Sequence, residues 1–174
     1  MEFIPVEVIK SISNLKQGEG RYSPFLPKLQ KFVRHGNDAQ LTVTTQPMML
    51  RSIIGRRKYM LSLGPKIVKM LLMGLLDMKY HGLVMQNIQP STIFLSHDGD
   101  DLHFVDVTKI AEVGEKQQSI PGLYLPYRYT LIKDNNYKHK ALAVKDRYSV
   151  GIIILEILVG TEMVMAAQSE EQVE

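Results

Sequence analysis

The sequence predicts an α+β fold on three observations: one long run with apolar residues at helical spacing, two short β-rich segments around an Asp-Gly turn just after it, and a second, more apolar helix near the C-terminal end. In the long run Ile67, Met70, Leu71, Gly74, Leu75 and Met78 recur every three or four residues up to Gly82, with Ser62 placed to cap the helix and Pro65 in its first turn. Residues 93–95 and 102–105 flank His97-Asp98-Gly99-Asp100, whose Asp-Gly pair suits a hairpin turn. Residues 146–159 are apolar nearly all round, which predicts a helix in the middle of the domain, ended by Gly160.

Upstream, Val8, Ile9, Ile12 and Leu15 predict a short helix over residues 6–15, closed by Gly18-Glu19-Gly20. Residues 29–33 and 41–45 read as strands with a turn at 35–38, and Pro47 stops the second. Over 108–137 periodicity fades among Gly114, Pro121, Gly122, Pro126 and Asn135-Asn136. That predicts an extended loop of a length usually tied to present or past function.

A chain of 174 residues can bury an apolar core without staples, and its lack of cysteine excludes disulfides, zinc-thiolate sites and a cysteine nucleophile. Its 21 basic and 18 acidic residues give a formal charge of +3, too balanced to imply nucleic acid. Arg56, Arg57 and Lys58 form the one tight basic run and read as a solvated helix start. Residues 1–9 carry Glu2 and Glu7 with no basic segment before an apolar stretch, which is not a signal-peptide pattern. Residues 150–167 are long enough for a bilayer, but Glu156 and Glu162 favour a core helix over a membrane span. The five histidines lack metal-ligand spacing, and there is no Walker loop, nucleophile elbow or dinucleotide fingerprint.

Four stretches carry more than periodicity. The first is His81-Gly82-Leu83-Val84-Met85-Gln86-Asn87-Ile88-Gln89-Pro90-Ser91-Thr92, followed by the apolar Ile93-Phe94-Leu95. The others are Leu102-His103-Phe104-Val105-Asp106-Val107-Thr108, then Pro121-Gly122-Leu123-Tyr124-Leu125-Pro126-Tyr127, then Asp146-Arg147-Tyr148-Ser149-Val150-Gly151 with Glu156. In this order they resemble the catalytic loop (H-R-D-L-K-P-x-N), the strand into D-F-G, the approach to A-P-E and the buried central helix of a protein kinase. The resemblance implies a truncated protein-kinase-like α+β domain over 1–174. Residues 1–48 would be a small-lobe remnant and hinge, and 49–174 a partial, mainly helical large lobe with a β-hairpin. Within the remnant, 6–15 would be the regulatory helix, 24–33 and 41–45 the last two strands, and 46–48 the hinge.

The departures from that pattern bear on chemistry. Phosphoryl transfer by this family needs clamped phosphates, metal held by two side chains and a carboxylate facing the substrate hydroxyl. By the resemblance Asn87 stands at the catalytic aspartate, and an amide takes no proton. Thr92 replaces the metal-binding asparagine, Gln86 the arginine and Met85 the histidine of the catalytic triplet. Asp106 keeps the D-F-G carboxylate, followed by Val107 and Thr108. It is a weak metal candidate, with a second reading as a hairpin-end carboxylate bonding nearby amides.

The strand carrying the phosphate-binding lysine precedes the regulatory helix in the family, and no residue here matches it. Glu7 matches that lysine's partner or is a surface carboxylate. Tyr127 stands at the A-P-E glutamate, whose partner arginine lies beyond the central helix. Loss of both would strand no buried charge. Pro90, Asp146, Tyr148 and Gly151 are retained as architecture, with Asp146 expected to hold the backbone at 85–87.

The resemblance thus implies a catalytically inactive, kinase-like interaction or structural subunit with no cofactor. A protein partner is expected to cover the far side of the central helix. The alternative is an atypical phosphotransferase completed by a small lobe from another chain, and only that alternative involves ATP and magnesium.

Overall fold

The computed structural model describes residues 23–35, 38–107, 110–114 and 143–170. The expected helix at 6–15 and the A-P-E-like stretch at 121–127 lie outside the described residues. Two strands, β1 (Lys28–His35) and β2 (Asp38–Thr44), pair antiparallel from Lys28 opposite Thr44 to His35 opposite Asp38, with a bulge between Leu29 and Lys31. After Pro47 the two-residue β3 (Met48–Met49) leads into a single turn, α1 (Leu50–Ile53).

The long helix α2 (Arg57–Tyr80) buries Met60, Gly64, Ile67, Leu71, Gly74 and Met78, one row at three- and four-residue spacing. It starts five residues before the expected cap. Arg56 stands at its N-cap without a side-chain bond, and the Ser62 hydroxyl donates back to the Lys58 and Tyr59 carbonyls at 3.3 and 3.1 Å. Pro65 therefore lies inside the helix rather than in its first turn. Gly74 is required by packing: a Cβ there would lie 2.6 Å from the Phe104 ring and 3.2 Å from that of Phe25. The helix ends through Gly82, whose φ of +68° a side chain would resist.

Beyond it β4 (Leu83–Val84) enters the loop, and β5 (Ile93–Leu95) and β6 (Leu102–Phe104) form the expected hairpin. Asp98 shapes its turn by accepting from the Ser96 hydroxyl and the Asp100 N–H, bonds that hold its carboxyl below the usual range. Gly99 takes φ +73°, and Lys66 on α2 reaches the turn at Asp100 (2.9 Å) and the Asp98 carbonyl (3.2 Å). A short β7 (Ala111–Glu112) inside the expected loop pairs with β4. β3 joins β5 to give a three-stranded sheet in the order β3-β5-β6.

The C-terminal helices are α3 (Ala143–Val159) and α4 (Thr161–Glu170). Gly160, at φ +91°, ends α3 as the sequence predicts, and a second helix follows it. α3 is not buried all round: Val150, Ile153 and Ile157 join the core, while Leu155, Leu158 and Val159 are exposed. The core lies between α2, α3 and the hairpin, where Leu50, Ile67, Leu71, Ile93, Leu95 and Phe104 are essentially sealed from solvent. Among the described residues α2, not α3, is long and apolar enough to cross a membrane by length and composition. Its inner row is committed to the core.

Candidate functional site

The loop between β4 and β5 is held from below by one carboxylate. Asp146, in the first turn of α3, accepts hydrogen bonds from the backbone N–H of Met85 (2.6 Å) and of Gln86 (2.8 Å), both across about sixty residues of sequence. Gln86 sits at φ +66°, a conformation costing a non-glycine residue about 1 kcal/mol or more. The N–H bond to Asp146 fixes it there. Asp146 is almost sealed from water, and this burial pushes its carboxyl up to about 6, against the two N–H donors and the Lys145 charge that favour ionisation. Lys145 is itself buried, which lowers its pKa.

The loop's polar side chains are turned on one another. The Asn87 amide donates to the Asp106 carboxylate beyond β6 and accepts from the Gln89 amide at 3.1 Å, so both of its ends are engaged. Thr92 Oγ1 accepts the Gln89 N–H (3.1 Å) and lies 2.7 Å from the Asn87 carbonyl, closing the loop as a side-chain staple. The Thr92 carbonyl accepts from Val105, and the Pro90 carbonyl from Arg51 on α1. Met85 and Ile88 fill the floor among core residues.

The structure thus brings Met85, Gln86, Asn87, Pro90, Thr92, Asp106 and Asp146 into one constellation. Tyr148 is half-buried on α3. Gly151 is exposed, and a Cβ there would meet nothing within 4 Å, so its packing among the described residues does not require glycine. Sequence reasoning missed the role of Gln89. Its signal was a long amide two residues from Asn87, which only the curled loop turns into a contact. It also missed His81, whose Nδ1 lies 2.8 Å from the Asp77 carbonyl and 3.6 Å from the Asp77 carboxylate where α2 ends. Among the described residues no group of three or more His, Cys, Asp or Glu could hold a metal ion.

Chemically the arrangement offers one carboxylate, Asp106, facing an amide. The amide carries no charge to orient a hydroxyl, and the carboxylate's Oδ2 is already bonded.

No family model matches the chain, and no curated protein matches it. Among solved structures it is similar to the kinase PK-1 of Cydia pomonella Granulovirus, with a TM-score of 0.63 and 15% sequence identity. The match covers 90% of this chain and 56% of that one. This chain therefore spans a little over half the length of its structural neighbour. At such identity the likeness speaks to architecture alone: the chain has a mixed helix-and-strand, protein-kinase-like fold.

Proposed function

We propose that the chain is a catalytically inactive kinase-like protein that works as an interaction or structural subunit of a larger assembly. The observation that carries this reading is the hydrogen bond from Asn87 to Asp106. In a working phosphotransferase the corresponding loop residue is a carboxylate facing the substrate hydroxyl, and the second carboxylate holds metal. Here an amide fills the first position and bonds the second, so the two side chains satisfy each other. Thr92 turns its hydroxyl onto the loop backbone.

The supporting framework is meanwhile kept, because Asp146 still clamps the loop and Pro90 still anchors it to α1. A protein retained for its shape would keep this scaffold. The exposed side chains of Leu155, Leu158 and Val159 on α3 and of Met163 and Met165 on α4 add an apolar surface that favours a protein partner.

A thermal-shift titration with magnesium and ATP tests the reading. A ligand at a hundred times its Kd stabilises by about 2.7 kcal/mol, which raises Tm by about 5–10 °C for a chain of this size. The expected result is no shift. A saturable shift that requires both magnesium and Asp106 would overturn the proposal in favour of a phosphotransferase.

A further inference from the structure

α2 carries two apolar faces, and only one is used by the fold. Opposite the buried row of Met60, Ile67, Leu71 and Met78, the helix exposes Leu61 (73%), Leu72 (47%), Met73 (44%), Leu76 (66%) and Tyr80 (69%). At 100° per residue these five side chains spread over about 120° of the helix, centred on the side away from the core. Only 22% of the most apolar 18-residue window of α2 is buried. A soluble helix normally meets water with polar residues, so an outward face of this kind marks a docking surface.

The charges beside the stripe say what docks. Lys58 and Lys69 lie within its angular span, Lys79 flanks Leu61 and Leu72, and Arg56 and Arg57 stand at the helix start. The first turn contains no acidic residue, so Arg57 and Lys58 lie at the positive end of the helix dipole with no acid of that turn beside them, while Lys79 lies in the last turn. Asp77, the one acid within α2, is half-buried and directed to His81. Long lysine stems lie along apolar surface while their ammonium groups reach outward, and the exposed Tyr80 adds a ring with a polar tip to the same face. A helix of this composition lying flat, apolar side down and cations to the headgroups, fits an anionic lipid surface.

The other apolar surface lacks this chemistry. Beyond the exposed Arg147 in the first turns of α3 there is no lysine or arginine as far as Glu174; Glu156 is buried, and Glu162, Glu170, Glu171 and Glu174 make the end of the sequence acidic. An anionic membrane would repel it. We infer that the outward face of α2 is a peripheral docking surface for anionic phospholipid bilayers, distinct from the apolar surface of α3 and α4.

The test is co-sedimentation of the full chain with vesicles of phosphatidylcholine alone and of phosphatidylcholine mixed with phosphatidylserine. The expected result is binding to the mixed vesicles only, weakened by high salt. Each lysine removed from the face should lower the partition coefficient about fivefold. The Lys58→Glu/Lys69→Glu variant and, separately, Leu76→Glu should therefore lose at least tenfold. All three sites are exposed, so circular dichroism is expected to match the parent chain. Leu158→Glu, on the acidic surface, should bind vesicles as the parent does. Equal binding to both vesicle types, binding to neither, or full binding by the α2 variants would each overturn the inference. So would sedimentation without vesicles that Leu76→Glu abolishes, because the face would then serve a second copy of the chain.

Discussion

Among single residues, Asp146 ties the β4–β5 loop to α3. Its carboxylate holds two N–H groups, one of them on a residue in a left-handed conformation, and it does so nearly out of contact with water. Burial raises its folded-state pKa from 3.8 to about 6. A carboxyl raised in this way contributes stability that is fully present below the unfolded value and lost as pH rises through the folded one. The window is therefore about pH 4 to 6, and neutral pH is the costly side.

Asp146→Asn removes the titration and keeps the size. Urea unfolding of both proteins should show the parent gaining about 2 kcal/mol over the variant between pH 7 and pH 4.5, acid effects elsewhere cancelling in the difference. A difference that is flat or reversed would show that burial does not raise the Asp146 carboxyl in the folded state. Asn87 makes the complementary point. Asn87→Asp deletes the donor to Asp106 and sets two carboxylates within bonding distance, so apo stability should fall by about 1–3 kcal/mol. Millimolar magnesium should then raise the melting temperature of the variant and leave that of the parent unchanged.

For the elements, close packing and pattern have different reach. Gly74 shows the limit of propensity: Ala at an exposed helix interior position would gain about 1 kcal/mol, but here its methyl would meet the Phe104 ring. Gly74→Ala is expected to destabilise by about 1–3 kcal/mol in denaturant unfolding, reversing the sign that helix propensity alone gives. Sequence did make the large elements legible. The row Ile67, Leu71, Gly74 and Met78 identified α2 because it repeats at helical spacing, and Asp98-Gly99 identified the hairpin turn because its signal is local.

Where the sequence misled, the deciding force was distant or weak. Ser62 looked like a cap, yet α2 extends back to Arg57 although the first turn has cations where acids are preferred. The two-residue strands β3, β4 and β7 exist only because partners across the fold complete them, as Met48 does with Leu95 and Leu83 with Glu112. No local pattern of two residues encodes that. Of the candidate site, Asp146 and its backbone contacts were legible, whereas the Asn87 and Gln89 bonds required the loop's curvature.

At the scale of the whole molecule, the kinase-like fold spends the polar groups of its β4–β5 loop on holding that loop together. α2 and α3 enclose the core, the β5–β6 hairpin caps it, and the loop between β4 and β5 is tied to α1, to β6 and to α3. Its surface carries two apolar faces, one on α2 beside several lysines and one on α3 and α4 where Glu162 is exposed. Both faces favour a molecule used for what it touches.

The most direct measurement is transfer of radiolabel from γ-labelled ATP, with magnesium, to the chain itself and to a generic basic protein, comparing the parent with Asp106→Ala. The account predicts incorporation at background in both. Label above background in the parent that disappears in Asp106→Ala would contradict it.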